Sequence, residues 1–451
     1  MKTPSELTEL IANHTYGSWK PQKGWKTPLL ISRAEGVRFW DAEGTAYLDF
    51  SSQLMCSNLG HGNRAIIEAI REQADTLPYV APGFICEAKA RATEALLEAM
   101  PEGVDQFFFS TSGTEANEAA LKIIGQYMGA QGKYKVISRY RSYHGSTSGS
   151  IALTGDPRRW FAEPMTKIPG VIFAPDAYCY RCPFSLTYPG CGLQCAEYVD
   201  YMIKEEGNVA AMFVEPVVGT NGVIVPPKEY LPRLRQIADD NGVLLVADEV
   251  MSGWYRTGAW FAVDNWSVKP DIITTAKGCT GAYAPVGVTA TTKKIRDYFE
   301  ERYFSHGHTY AMHPLVLAAI PPAVQEYKKL AASGAMAKGS AHLESRLREL
   351  MDRHPSVGDV RGIGHFWAVE LVRDRETKEP FNTKADKAAL KPLTTDRLSG
   401  EMLKRGLHLA AWYNHFIIAP PLTITPEEID EAIEIFDDAL AAADREADRT
   451  E

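Results

Sequence analysis

The sequence predicts an α/β protein in which helices cover a mostly parallel sheet, with a smaller α+β domain beside it. Between about residues 100 and 310, short aliphatic runs alternate with helix-like segments, which is the pattern of repeated β-loop-α units. One run, residues 242–247, is apolar throughout, as a strand buried on both faces is. After about residue 315 the alternation gives way to a long helical stretch and late strands.

Length and composition indicate a soluble enzyme of several domains. A chain of 451 residues exceeds one small core, so we expect an N-terminal segment that is part of the small domain (1–60), a large domain (61–325) and a C-terminal small domain (326–451). The net charge of -9 argues against a nucleic-acid partner. The apolar runs are far shorter than the roughly 20 residues that span a bilayer. The N-terminus lacks the apolar region of a secretory signal, so we expect no membrane association and a cytoplasmic location.

The first hundred residues predict a helix, three strands and two further helices. Residues 1–30 form a helix and then a loop rich in Trp, Lys and Pro, which covers a pocket or a partner subunit or else is a plain surface arm. Turn signals at Glu35-Gly36 and Glu43-Gly44 divide residues 30–50 into a strand meander. Helices are predicted over residues 63–76 and 87–100.

The remaining elements follow from the same periodicities. Strands are predicted over residues 106–110, 135–138, 209–214, 242–247, 270–276 and 286–291, with helices over 113–128 and 228–241. The C-terminal region predicts a helical stretch over 314–353 that breaks near Gly334, a turn-and-strand unit over 357–371, a strand near 416–422 and a helix over 426–444.

An acid and a lysine each end a predicted strand. Asp248 and Glu249 follow the apolar run 242–247, and Lys277 follows the run 270–276. Burying either charge is costly unless a partner uses it. Pyridoxal 5′-phosphate uses both, because its aldehyde forms a Schiff base with a lysine and its ring nitrogen pairs with a carboxylate. A structural Asp–Lys ion pair is the alternative.

A second pattern predicts an anion site. Ser112, Gly113 and Thr114 lie at a predicted helix N-terminus directly after the strand 106–110. Free N–H groups, the helix dipole and the hydroxyls there favour a phosphate. An ordinary N-cap with a nearby Glu is the alternative.

Six short motifs follow one another along the chain: Ser112-Gly-Thr-Glu-Ala-Asn117, Tyr143-His144-Gly145, Glu215-Pro216, Asp248-Glu-Val250, Lys277-Gly278 and His308-Thr309-Tyr310. Together they resemble those of a class III aminotransferase, in the ω-aminotransferase branch of the fold-type I pyridoxal-phosphate enzymes. The resemblance covers nearly the whole chain and implies a seven-stranded sheet in the large domain.

The resemblance implies a role for each motif. Lys277 would bind the cofactor and shuttle the proton, and Asp248 would hold the protonated ring nitrogen. Val250 and Tyr143 would pack on the two ring faces. The remaining cofactor-site residues are Ser112, Gly113 and Thr114 at the phosphate, and His144 and Glu215 on the cavity wall. Thr309 resembles the residue that reaches the phosphate from the other subunit, which implies a homodimer with interfacial sites, alone or within a tetramer.

Departures from the family pattern concern the substrate. Met251 stands where the glutamate-using members usually have Gln, and it is common in pyruvate-using ones. The arginine that often precedes the Pro420-Pro421 pair is missing from residues 409–415. We expect its place to be taken by Asn414, His415, Trp412 or an arginine from elsewhere. Residues at the positions that shape the family's pockets are Leu54, Met55 and Phe84, all of which could equally be plain core.

Four of the seven cysteines cluster between residues 179 and 195. Their spacing is compatible with zinc, but the uneven pairs favour reduced cysteines in a loop and no metal. This loop is similar to that of members resembling taurine–pyruvate aminotransferases, so taurine or β-alanine is a specific possibility.

The sequence thus predicts an amine:pyruvate aminotransferase that forms alanine. A 2-oxoglutarate-using ω-amino acid aminotransferase, an aminomutase, a racemase and a decarboxylase share the same motifs. A catalytically silent cofactor-binding protein would not need the intact pair of Lys277 and Asp248. A dehydrogenase would need G-x-G-x-x-G after a first strand, and the chain lacks it.

Overall fold

Three β-sheets organise the protein, whose computed structural model describes residues 2–166 and 168–447. The strands are Ile31–Glu35 (β1), Arg38–Asp41 (β2), Ala46–Asp49 (β3), Val104–Ser110 (β4), Lys135–Arg139 (β5), Val171–Ala174 (β6), Val209–Val214 (β7), Leu244–Asp248 (β8), Ile272–Thr275 (β9), Gly287–Thr292 (β10), Val357–Ile363 (β11), Phe366–Asp374 (β12), Glu379–Pro380 (β13), Leu407–His408 (β14), Ala410–Trp412 (β15) and His415–Ile418 (β16). The helices are Pro4–His14 (α1), Ser52–Met55 (α2), Arg64–Thr76 (α3), Glu87–Ala99 (α4), Gly113–Gly129 (α5), Ser148–Leu153 (α6), Pro157–Thr166 (α7), Gln194–Glu206 (α8), Tyr230–Asn241 (α9), Lys293–Asp297 (α10), Pro314–Leu317 (α11), Ile320–Ser333 (α12), Ala335–Arg353 (α13), Lys384–Ala388 (α14), Thr394–Lys404 (α15) and Pro426–Ala447 (α16).

The central sheet has seven strands in the order β4-β10-β9-β8-β7-β5-β6. β10 runs antiparallel to both of its neighbours, and the other strands are mutually parallel. Its two faces are both buried: in β8, Leu245 packs into one hydrophobic core while Leu244 and Val246 pack into another. The prediction of a mostly parallel sheet covered by helices is confirmed.

The parallel strands bring their carboxyl ends to one edge of this sheet. β8 and β9 are adjacent, with Asp248 opposite Thr274 in the register, so Lys277 follows the neighbouring strand end directly. Glu215 follows β7, and the loop that holds Tyr143 follows β5. Ligands of open α/β sheets bind at such an edge.

Both chain ends build the smaller sheets. The predicted meander β1–β3 is confirmed, and β3 pairs in parallel with β14, so the N-terminal strands share a sheet with the C-terminal region. β11, β12, β16 and β15 form the other sheet, with β13 paired to β12. The division of the chain at residues 60 and 325 stays a prediction. Its outer limits, Met1 and Glu451, lie outside the described residues.

The helical prediction over 314–353 needs a correction in detail. This stretch is three helices, α11, α12 and α13, and the expected break near Gly334 is where α12 ends on a left-handed glycine with φ of 72°. Elements that the sequence pattern did not predict include β6, α6, α7 and α8. No helix within residues 2–166 and 168–447 has both the length and the apolar character for a membrane crossing.

Candidate active site

A cavity of about 560 Å³ opens where the strands β4, β5, β7, β8 and β9 end. Most of the predicted site residues lie on its wall: Leu54, Met55, Ser112, Gly113, Thr114, Tyr143, His144, Glu215, Asp248, Val250, Lys277 and Trp412. Two predicted residues lie elsewhere in this single chain. Phe84 is 65% exposed, and Thr309 is exposed on the loop between α10 and α11.

Hydrogen bonds from neighbouring residues fix both oxygens of the Asp248 carboxylate. Its Oδ2 accepts from Asn117 Nδ2 at 2.8 Å and from His144 Nδ1 at 2.7 Å. Its Oδ1 accepts the Val250 N–H at 3.0 Å. Asn117 is oriented in turn by Thr274, whose hydroxyl donates to Asn117 Oδ1 at 2.7 Å. These hydrogen bonds hold the carboxylate in one orientation, which suits a group that binds a ligand at a fixed position.

Lys277 sits on the cavity wall with its amine uncommitted. Its backbone has φ of 44°, which is left-handed and rare for a residue with a side chain. Nζ makes no hydrogen bond or ion pair with the described part of the chain. Burial lowers the pKa of Lys277, because the charged ammonium loses its water. A lysine with a lowered pKa is a better nucleophile and base near neutral pH.

Glu215 ties the loop after β5 to the end of β7. Its two oxygens accept the N–H groups of Tyr143 at 3.0 Å and Gly219 at 2.7 Å. Burial raises the pKa of this carboxyl. The contact with Tyr143 sets where the tyrosine ring stands on the cavity wall.

The N-terminus of α5 points at the same cavity. Ser112 caps the helix by accepting the Glu115 N–H at 3.2 Å, so the N-cap alternative is present as well. The first N–H groups of a helix, here those of Gly113 and Thr114, have no intrahelical acceptor. At Gly113 a Cβ would lie 2.7 Å from a Val250 methyl, so only glycine lets the helix end approach this close.

Arg158 on α7 is a cavity residue that the sequence prediction missed. Its guanidinium lies 3.7 Å from the centre of the Tyr143 ring and 4.7 Å from that of Trp412. The buried Asp156 carboxylate accepts hydrogen bonds from Nε, at 2.9 Å to Oδ2, and from Nη2. Nη1 has no acceptor among residues 2–166 and 168–447, so two N–H groups stay free beside the cavity.

The structure narrows the candidates for carboxylate binding. Asn414 donates to the buried Glu370 at 3.0 Å, and His415 Nε2 donates to the Thr220 carbonyl at 3.0 Å. Both side chains are buried and neither lines the cavity. Trp412 does line it, but its N–H is engaged by Asn221 at 3.0 Å. Of the candidates for carboxylate binding, this leaves an arginine from another part of the chain, and Arg158 is such an arginine on the cavity wall.

Two further segments complete the wall. Trp19, from the loop after α1, lines the cavity while 58% of its surface stays exposed, so the N-terminal segment covers the pocket. Leu54 and Met55 also line the cavity, and they belong to α2, which is a single distorted turn in which Ser52, Gln53 and Met55 have φ of 45°, 59° and 54°. A residue other than glycine that is held in such a sparsely populated backbone region costs about 1–3 kcal/mol.

The cysteine loop lies apart from the cavity. Cys179, Cys182, Cys191 and Cys195 are free thiols that line a narrow cleft of their own. Burial raises the pKa of Cys179, and that of Cys195 to about 11, so both thiols stay protonated near neutral pH. Within the described ranges no three His, Cys, Asp or Glu side chains are arranged to hold a metal ion.

Comparisons with known proteins agree with this geometry. A profile of the family "Aminotransferase class-III" matches residues 20–440. The chain is 34% identical to putrescine–pyruvate aminotransferase of Pseudomonas aeruginosa, over 90% of this chain and 89% of that protein. It is 31% identical to taurine–pyruvate aminotransferase of Bilophila wadsworthia, over 98% of each chain.

A solved structure matches the whole fold. Taurine:2-oxoglutarate aminotransferase from Bifidobacterium kashiwanohense, in complex with PLP and glutamate, superposes with a TM-score of 0.92 at 34% identity and covers 99% of each chain. The chain therefore belongs to the class III aminotransferases, which use pyridoxal 5′-phosphate.

Proposed function

We propose that this enzyme transfers the amino group of a primary amine, ω-amino acid or aminosulfonate to pyruvate and forms alanine. The observation that carries the proposal is Arg158, which presents a free Nη1 beside the cavity that holds Lys277. A guanidinium is the preferred partner of a planar carboxylate. Taurine and putrescine, the donors named for two relatives, are candidate donors.

The cavity fits the cofactor at each of its ends. The N-terminus of α5, with Ser112, Gly113 and Thr114, would hold the phosphate through free N–H groups and the helix dipole. Asp248 would accept a hydrogen bond from the protonated ring nitrogen. When bound, the cofactor supplies an electron-withdrawing ring that stabilises negative charge on the substrate carbon.

The chain's own residues then bind and move the proton. Lys277, with its lowered pKa, would take a proton from the carbon of the amine substrate. In the second half of the reaction it would donate a proton to the carbon of the acceptor. Val250 and Tyr143 would hold the ring between them, while His144 and Glu215 fix Asp248 and the Tyr143 loop.

The charges on the wall favour a monocarboxylate as the acceptor. Among the described residues that line the cavity, the Lys and Arg side chains are Lys277 and Arg158. Lys277 would serve as the base of the proton transfer, so one cation remains for the carboxylate of the acceptor. Pyruvate needs one, whereas 2-oxoglutarate carries a second carboxylate that would enter an apolar wall made by Leu54, Met55 and Trp412.

We further propose a homodimer with active sites at its interface. Phe84 and Thr309 lie outside the cavity of their own chain, in a region where Ile85 is 96% and Tyr310 58% exposed. Exposed large apolar side chains near one another mark an interaction surface. A second copy would cover them and bring Thr309 to the partner's phosphate site, as the family resemblance implies.

A donor panel with both acceptors present tests the proposal. Purified enzyme with cofactor receives taurine, β-alanine, putrescine or 1-phenylethylamine, together with equal pyruvate and 2-oxoglutarate. We expect alanine to form faster than glutamate with at least one donor. Glutamate as the main product would establish the 2-oxoglutarate alternative. Formation of neither, with racemised, rearranged or decarboxylated products, would establish one of the other class III activities.

A further inference from the structure

The turn over residues 51–58 is strained and shapes the substrate side of the cavity. Three of its residues, Ser52, Gln53 and Met55, have left-handed φ although none is glycine. Leu54 and Met55 present their side chains to the cavity. Strained backbone of this kind persists only where the surrounding structure holds it in place.

A buried arginine holds both ends of the turn. Arg256 is 0% exposed, and its Nη2 donates to Ser52 Oγ at 3.0 Å and to Asn58 Oδ1 at 2.7 Å. Its Nη1 donates to the carbonyls of His365, at 3.1 Å, and Pro420. One guanidinium thus ties the turn to the β11–β12 hairpin and to the chain after β16.

The charge of Arg256 has no carboxylate partner among residues 2–166 and 168–447. Burial lowers the pKa of Arg256 to about 10, so it is still a cation at neutral pH. A buried cation that meets only neutral acceptors is costly. Methionine or leucine would fill the same volume without the cost of burying a charge. We therefore attribute the presence of an arginine at this position to the hydrogen bonds that it makes.

The clamp also reaches the backbone beside Lys277. Asn58 Nδ2 donates to the Trp254 carbonyl at 3.1 Å. At Gly278, the residue after Lys277, a Cβ would lie 2.7 Å from this same Nδ2. The strained turn is therefore packed directly against the segment that carries the reactive amine.

We propose that Arg256 is a positioning residue for donor specificity: it locks the 51–58 turn so that Leu54 and Met55 limit the size of the amine pocket. The inference rests on the proposed amine-donor function. Without the fork of Arg256 the turn relaxes toward unstrained backbone, the wall recedes, and larger amines gain relative to small ones. Asp248 and Gly113, which would contact the cofactor, are on other segments and stay in place.

The test compares Arg256→Lys, Ser52→Ala and a control, Arg348→Lys, whose arginine is exposed on α13 and paired with Glu344. Arg256→Lys keeps the charge without the fork, and Ser52→Ala removes one acceptor on the turn in case the first variant does not fold. Each cofactor-loaded enzyme is mixed with 2-aminopropane or 1-phenylethylamine without keto acid, and kcat/KM comes from the change in cofactor absorbance. Hydrogen exchange of the peptide over residues 50–60 and cofactor affinity are measured in parallel.

We expect the ratio of kcat/KM for 1-phenylethylamine over 2-aminopropane to rise about tenfold in Arg256→Lys, and less in Ser52→Ala. Exchange over residues 50–60 should accelerate, cofactor affinity should stay within about twofold, and the control should match the wild type. If the kcat/KM ratio of the two amines is unchanged in both variants, the inference is overturned, whether or not the variants bind the cofactor more weakly. If the wild type processes neither these two amines nor taurine, β-alanine or putrescine, the proposed function fails, and unchanged exchange in Arg256→Lys would separately overturn the clamp.

Discussion

The guanidinium of Arg158 stacks on the Tyr143 ring, 3.7 Å from its centre. Arg158 Nε and Nη2 donate hydrogen bonds to the Asp156 carboxylate, so Nη1 is the nitrogen that stays free for a ligand. Glu215 holds the Tyr143 backbone. The cation is thus preorganised, which reduces the ordering cost of binding an anion.

Replacing Arg158 should weaken binding of the keto acid. For Arg158→Met we expect the KM for pyruvate to rise about 10- to 100-fold, because a charge-assisted hydrogen bond is lost, with a smaller change in kcat. Steady-state kinetics with a donor that lacks an acid group checks this. Arg302→Met is the matched control, since Arg302 stacks on Tyr298 away from the cavity, at 4.5 Å. An unchanged KM for pyruvate would remove Arg158 from the account.

Asp248→Asn should weaken both cofactor retention and turnover. A neutral amide does not stabilise the protonated ring nitrogen, so we expect kcat to fall by at least about 10²-fold. Dialysis followed by cofactor absorbance measures retention. The control is Asp239→Asn, an exposed acid on α9 that pairs with Arg235. Wild-type activity and retention in Asp248→Asn would be the contrary result.

Two glycines on α5 give opposite predictions. In Gly113→Ala the new Cβ would meet Val250 methyls at 2.7 and 2.8 Å, so we expect the Kd for the cofactor to rise about tenfold or more. Gly125 is exposed with nothing within 4 Å of a Cβ, so Gly125→Ala should raise the free energy of unfolding by about 0.5–1 kcal/mol. Cofactor titration and urea unfolding measure the two effects. Equal cofactor affinity in both variants would show that the close approach is unimportant.

Glu249 makes stability depend on pH. Burial raises its pKa to about 7, from 4.5 in the unfolded chain, so between these values the unfolded state ionises while the folded state stays neutral. Stability is therefore lost as pH rises from 4.5 to 7, by about 3 kcal/mol.

Glu249→Gln should remove that loss, because an amide keeps the contacts to Ser252 and Val263 and does not titrate. We expect the Tm of the variant to match the wild type near pH 4.5 and to exceed it at pH 8. Thermal unfolding across that range measures the difference. A difference in Tm that is the same at both ends would contradict the assigned pKa.

Local patterns sufficed to predict the two strand ends at which Asp248 and Lys277 meet one cavity. The strands before Asp248 and Lys277 are short apolar runs, and an ionisable residue directly after such a run needs a partner. Parallel β–α repeats place consecutive strand ends at one edge, so the shared cavity followed from sequence order. The helix after Thr111 was equally readable, because Ser112 is an N-cap type directly after a strand.

Long-range packing hid the rest. Arg158 belongs to α7, whose neighbour α6 is short, so no periodicity indicated a helix there. Its place in the cavity depends on the buried Asp156, whose carboxylate accepts a hydrogen bond from the distant Asn221 at 3.0 Å, a contact that local spacing does not reveal. The expectation that Asn414 or His415 replaces the missing arginine does not hold. Asn414, just before β16, donates to Glu370, and His415, the first residue of β16, donates to the Thr220 carbonyl.

The most direct measurement concerns Lys277. Borohydride reduction of the cofactor-loaded enzyme, followed by digestion and mass spectrometry, identifies the lysine that holds the cofactor. We predict a pyridoxyl group on Lys277, none in Lys277→Ala, and loss of transamination in that variant by at least about 10⁴-fold. Label on a different lysine of the wild type, or full activity in Lys277→Ala, would contradict the account.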